Sequence, residues 1–260
     1  LLRTPFAIAI PELEAAPARE LVLLPDGKDG EPPKSETTEI SPASICPWEG
    51  DHFIRPYTDA IRYRMAYFFE RHHMTHKPKM IAVTSFGDGA GASTLAAGLA
   101  ASCSEPGYGK VLLCDMNGKA EAHSFFEGKP VCTLPEALRS GEDVNVRFKA
   151  VEKYLFLASA ASDADGANGA MPKDFYDLMP QFKLSDFDYI IFDMPPITDT
   201  SPTVAMAGFM DKVLLVTEAG VTDGDVLKRG YADLVASNVD VTCVLNKFRP
   251  APTWLPGQRA

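Results

Sequence analysis

Dense positive charge is missing from this chain of 260 residues, whose formal net charge is −10. The nearest thing to a basic patch is Arg71-His-His, His76-Lys77 and Lys79, small and mixed. Such a balance repels nucleic acid and anionic membrane surfaces. No uninterrupted apolar run approaches membrane-spanning length, and no signal peptide is evident. Cysteine is sparse: Cys46, Cys103, Cys114, Cys132 and Cys243 are scattered and odd in number, which excludes a disulfide framework and gives no metal-cage spacing. Cys114 and Cys243 fall in apolar runs and read as small core side chains in a reducing, cytoplasmic setting. The first residue is Leu rather than Met, so the chain reads as a processed or excised piece, and the sequence leaves open whether a missing flank carries an anchor.

What is present is an alternation of apolar runs and helical patterns. Residues 1–50 are rich in Pro and polar side chains and read as a linker or extended arm, with Leu21-Val-Leu-Leu24 a candidate edge strand. Ile61, Met65 and Phe68 or Phe69 share one face of a helix expected from Tyr57 to Phe69. Strands are predicted at Met80–Thr84, Val111–Cys114, Tyr154–Leu157, Tyr189–Phe192, Lys212–Val216 and Val241–Leu245. Helices are predicted at Ser93–Ser102, Leu134–Arg139, Asp174–Phe182 and Asp223–Ala236. Nearly continuous apolar strands separated by helices define an α/β domain over residues 51–250, a parallel central sheet flanked by helices on both faces. Residues 251–260 form a tail. Ser162-Asp-Ala-Asp-Gly-Ala-Asn-Gly-Ala reads as a surface loop, either covering a site or an unconstrained insertion.

Ligands of such sheets gather at the carboxyl ends of the strands. Three features converge there. The run Thr84-Ser-Phe-Gly-Asp-Gly-Ala-Gly-Ala-Ser-Thr94 leads from the first central strand into a helix. Gly87, Gly89 and Gly91 allow a tight turn with inward N–H groups, and the helix start near Ser93 favours an anion. Asp115 ends Val-Leu-Leu-Cys-Asp, and Asp193 ends Tyr-Ile-Ile-Phe-Asp-Met-Pro-Pro. One element fails. A phosphate-binding loop of the nucleotide-hydrolysing kind requires Lys immediately before the Mg²⁺-holding hydroxyl, and here Ala92 precedes Ser93.

These motifs resemble those of the cytoplasmic domain of bacterial tyrosine kinases linked to capsule and exopolysaccharide synthesis, within the MinD/ParA-like P-loop ATPases. The family's first motif, Thr-Ser-x-x-Pro-Gly-Glu-Gly-Lys-Ser-Thr, corresponds to residues 84–94. Its Asp-x-Asp-x-Arg motif corresponds to Val111-Leu-Leu-Cys-Asp-Met-Asn-Gly-Lys119. Its Tyr-Asp-x-Ile-Ile-x-Asp-x-Pro-Pro corresponds to Phe187-Asp-Tyr-Ile-Ile-Phe-Asp-Met-Pro-Pro196, with Asp199 also in keeping. The similarity runs over roughly residues 57–248. It implies a P-loop NTPase-like three-layer sandwich and ATP or ADP with Mg²⁺ as cofactor. It places nucleotide contacts at Gly87, Gly89, Gly91, Ala92, Ser93 and Thr94, a Mg²⁺ site at Ser93, Asp115 and Asp193, and ancestral catalytic roles at Asp115 and Asp193.

The departures cluster where the family's chemistry occurs. Ala92 replaces the lysine, Asn117 the second acid, and Lys119 lies near but not at the arginine position. The ring-assembly motif Glu-x-x-Arg-x-x-Arg is matched in part by Asp59 and Arg62, with Met65 in third place. No tyrosine cluster occurs in Pro250-Ala-Pro-Thr-Trp-Leu-Pro-Gly-Gln-Arg-Ala260. The implied protein is a degenerate, pseudokinase-like relative with impaired phosphoryl transfer. Its expected setting is cytoplasmic, recruited to the inner face of the membrane by a chain-length or export protein of polysaccharide synthesis. Two alternatives stand beside it: an active tyrosine kinase or ATPase with Lys119 or a partner supplying the charge, and a MinD/ParA-like positioning ATPase.

Overall fold

The structure, a computed structural model, describes residues 8–12, 46–117, 131–138, 150–151, 154–160, 172–198 and 200–249. The candidate strand at 21–24, the 162–170 loop, Lys119, Asp199 and the C-terminal tail lie outside these residues.

Eight described strands form one sheet: β1 (Ile8–Pro11), β2 (Lys79–Ser85), β3 (Val111–Asp115), β4 (Val131–Thr133), β5 (Leu155–Ser159), β6 (Tyr189–Asp193), β7 (Lys212–Glu218) and β8 (Asp240–Phe248). Their order is β1-β8-β7-β2-β6-β3-β5-β4, and every pair is parallel. Six helices accompany them among the described residues: α1 (Arg55–Arg71), α2 (Ala92–Cys103), α3 (Leu134–Ala137), α4 (Pro172–Leu184), α5 (Thr203–Ala207) and α6 (Gly224–Ala236).

A parallel sheet needs cover on both faces because its crossovers carry helices to either side. The central strands are accordingly apolar at consecutive positions, and alternate residues divide between two cores. Ile81, Val83, Leu113 and Ile191 join Leu95 and Leu99 of α2 and Ile61, Met65 and Phe69 of α1. Met80, Ala82, Leu112 and Phe192 join Phe175 and Phe182 of α4, Met206 of α5, and Leu227 and Leu234 of α6 on the other face. This is the three-layer α/β sandwich the sequence leads one to expect, with the predicted strands and helices in place.

Within α1, Met65 and Phe69 are core residues, whereas Tyr63 and Tyr67 are exposed. The buried cysteines behave as the sequence indicated. Burial pushes the Cys103 thiol up to about 12 and the Cys243 thiol up to about 11, and the half-buried Cys132 is likewise raised to about 11, which disfavours the thiolate at neutral pH.

Two edge strands extend the expected sheet. Ile8–Pro11 adds to β8 with an irregular register between Ala9 and Pro11, so a short part of the N-terminal arm is sheet. Proline and a bulge are features an edge tolerates and a central strand does not. At the opposite edge, β4 has only three residues.

The seam between α1 and α2 depends on a glycine. A Cβ on Gly98 would lie 2.6 Å from Ile54 Cγ2 and 3.1 Å from Thr58 Cγ2. Gly98→Leu is therefore expected to push the helices apart at a cost of roughly 1–3 kcal/mol. Gly50→Ala, at a position with open space around it, should change stability far less. Urea unfolding of both variants checks the contrast.

Candidate functional site

The first central strand ends in a turn whose carbonyls are held by side-chain donors. Ser85 Oγ donates to the Gly87 carbonyl at 2.9 Å. Gly89 and Gly91 adopt φ of 78° and 93°, the left-handed region where a side chain is strained. Gly91 has a second reason to lack a side chain, since a Cβ there would run into the amide of Asn246. That amide donates to the Ala90 carbonyl at 2.8 Å and so pins the turn to β8. Gly91 precedes α2 directly, which leaves Ala92, Ser93 and Thr94 as its first turn and their N–H groups at the helix's positive end. On the outer side of the turn, Phe86 packs on Gly230 of α6, where a side chain would collide with the ring.

Parallel register brings the two acids alongside. β2 pairs with β6 and β6 with β3, and Asp115 is the direct partner of Asp193 in the β3–β6 ladder. The segment after Asp193 is clamped to the turn. Met194 N donates to the Val83 carbonyl at 2.9 Å and Ile197 N to the Ser85 carbonyl at 2.7 Å. The hydroxyls of Thr84 and Thr203 both donate to the Pro195 carbonyl, at 2.8 and 2.9 Å. Asn117 completes the floor. Its backbone N–H and side-chain amide donate to Asp115 Oδ1 at 2.9 and 3.2 Å, and the amide also reaches the Asp193 carbonyl at 3.4 Å.

Together these groups line a cavity of about 300 Å³. Gly87, Gly89, Gly91, Ala92, Ser93, Thr94, Asp115 and Asp193, every residue assigned to nucleotide, metal or catalysis from sequence, contribute to its wall. The sequence reading did not anticipate Asp88, which adds a third carboxylate to the lining, nor the brace from Asn246. For Asn246 the only signal was the resemblance continuing through Val241–Lys247; nothing local marks the contact. No Lys, Arg or His lies among the described lining residues.

Asp193 carries the main electrostatic burden. It is 4% exposed, and its Oδ1 is buried with no hydrogen-bond partner among the described groups. Burial raises its pKa from the ordinary 3.8 to about 7; Asp115 pushes the same way, while hydrogen bonds from Ser93 and Asn117 oppose. Asp59 and Arg62 are elsewhere, in the α1–α2 seam. Arg62 Nε donates to Ser102 Oγ at 2.8 Å, Ser102 donates to Asp59, and the guanidinium lies 3.6 Å from the centre of the Tyr108 ring. Among the described residues no group of three or more His, Cys, Asp or Glu side chains is arranged to hold a metal ion by itself. Ser93, Asp115 and Asp193 nonetheless share one wall of the cavity, and oxygen donors of this kind suit Mg²⁺.

A glycine turn between a parallel strand and a buried helix, facing carboxylates at two neighbouring strand tips, defines a P-loop NTPase-like α/β protein. Comparison with known proteins narrows this. The chain is similar to the tyrosine-protein kinase CpsD of Streptococcus agalactiae serotype III (strain NEM316), with 27% identity over 163 residues, 60% of this chain and 66% of that protein. The CpsD of the serotype Ia strain matches equally. The chain thus spans just under two thirds of the curated relatives it matches. Among solved structures, the kinase domain of the Escherichia coli tyrosine kinase ETK has a TM-score of 0.61 at 17% identity, covering 98% of this chain and 95% of that one. The chimerical protein CapA2B2 has a TM-score of 0.58 at 19% identity, with 95% and 96% covered. The VpsO kinase domain has 0.55 at 18% identity, with 75% and 96% covered. These structures establish the shared fold. No protein-family model matches the chain.

The raised Asp193 pKa has a defined sign. The folded protein holds this proton more tightly than the unfolded chain, so the stability it contributes is full below pH 3.8 and lost as pH rises through about 7. The loss is on the order of 4 kcal/mol at most. Asp193→Asn should therefore be the more stable protein at pH 8, with the advantage shrinking towards pH 4. Denaturant unfolding at pH 4, 6 and 8 reads the difference directly; parallel profiles would refute it.

Proposed function

We propose that this is a degenerate bacterial tyrosine-kinase-like protein, a regulatory or assembly component of exopolysaccharide or capsule synthesis or export, with impaired ATP phosphoryl transfer. One observation carries the reading: Ala92 opens α2 in a cavity whose described lining holds three carboxylates and no basic side chain. The backbone of the turn and the start of α2 retain the donors for a diphosphate. Ser93, Asp115 and Asp193 are the residues that would hold Mg²⁺, which would supply positive charge against the phosphates. What is missing is a fixed cation for charge moving between β and γ phosphates. Loss of one such donor costs roughly 2–4 kcal/mol in a transition state, or about 10²–10³ in rate.

The proposed partner is a membrane-associated polysaccharide chain-length or export protein that recruits the domain to the inner face of the membrane. None of the described helices is long and apolar enough to cross a membrane. Ring assembly through Asp59 and Arg62 has less support, because Arg62 is 5% exposed and already engaged within the subunit.

Calorimetric titration with ATP and ADP, with and without Mg²⁺, together with phosphate release, tests the proposal. The protein is expected to bind ADP with Mg²⁺ and to turn over ATP about 10²–10³-fold more slowly than its Ala92→Lys variant. Equal turnover by the two proteins would overturn the impaired-kinase reading.

A further inference from the structure

Losing a cation from an acidic cavity leaves more than a slow enzyme. It leaves a charge without a partner. Asp193 is almost wholly enclosed, lines the cavity, and has one oxygen with no hydrogen-bond donor. Asp115 stands beside it in register, and Asp88 lies on the exposed turn above. Among the described residues the donors at hand are Ser93 and Asn117, both neutral. An enclosed carboxylate oxygen left unpaired is costly, and the usual remedies are a proton, a metal ion or a basic side chain.

We propose that the cavity at the turn between β2 and α2 is a binding site for an alkylammonium group, supplied by a lysine of a partner protein or by a free polyamine. The chemistry selects a compact cation on a slender aliphatic stem. An ammonium is a point charge with three donors, whereas a guanidinium is a flat fork that needs a wide, two-oxygen face. Ala92 supplies the apolar wall for the stem, at the position from which a P-loop lysine would otherwise extend. Such a ligand would offer a positive charge to the enclosed Asp193 carboxylate at the edge of the cavity. The inference uses the same cavity as the proposed function but needs neither nucleotide nor phosphoryl transfer, so the two readings fail separately.

The test is thermal unfolding of the whole chain without nucleotide, in n-butylammonium chloride against tetramethylammonium chloride at equal ionic strength. The butyl ion is expected to raise Tm by about 2–4 °C over the control near saturation. The gain should vanish in Asp193→Asn, which removes the charge. It should vanish also in Ala92→Lys, whose own ammonium takes the place and which should melt above the parent protein.

A capped Gly-Gly-Lys-Gly-Gly peptide and spermidine, compared at equal concentration, separate the two sources; the stronger response names the class. An equal response in Asp193→Asn would overturn the assignment. So would the same Asp193-dependent gain from MgCl₂ alone, which would make the site one for a metal ion. A response that appears only after Lys119→Met would also overturn it, since the cation would then be internal.

Discussion

Parallel pairing of β2, β6 and β3 is the constraint on which the rest of the molecule depends. It sets Asp115 and Asp193 level at neighbouring strand tips, while β2 runs two residues further to Ser85 before its turn. Side-by-side carboxylates with little solvent repel each other and lack hydration. The surroundings answer with directed donors: Asn117 clasps Asp115, Ser93 turns to Asp193, and threonines on two elements fix the Pro195 carbonyl that follows. Each contact is modest in itself. Their joint effect is to keep a polar crevice open in a sheet that would otherwise bury everything near it.

Ala92 and Asn117 are better understood as a pair than as two separate losses. In the pattern this chain resembles, a lysine faces a group of acids, one of them at the position of Asn117. Removing the lysine alone would leave those acids uncompensated. Asparagine at 117 removes one negative charge and contributes an amide that donates to Asp115 and to the Asp193 carbonyl. The net charge contributed by those positions is thereby unchanged.

Much of the fold was legible because the sheet is buried on both faces. Strands such as Val111–Asp115 and Tyr189–Asp193 are apolar up to a terminal aspartate, and that contrast marked both the strand and the end at which ligands collect. Glycine spacing marked the turn. The remainder was hidden for physical reasons. Ile8–Pro11 is too short and too close to a proline to announce a strand, and it is one only because β8 offers an open edge. Val131–Thr133 and Thr203–Ala207 are too short to show a period. Arg62 matches part of an assembly motif in sequence, yet it is drawn inward by Ser102 and Tyr108, forty and more positions away. Local pattern records which face an element buries; it does not record which distant side chain meets it.

The brace from Asn246 to the Ala90 carbonyl joins residues 156 positions apart. During synthesis the glycine turn emerges long before the strand that steadies it. Until β8 docks, nothing occupies the space above Gly91, and the turn lacks one of its fixed points. A ribosome-bound chain truncated before residue 246 therefore carries the loop's sequence without its finished shape. The finished shape of the turn is accordingly something the fold acquires last, when its two distant parts meet.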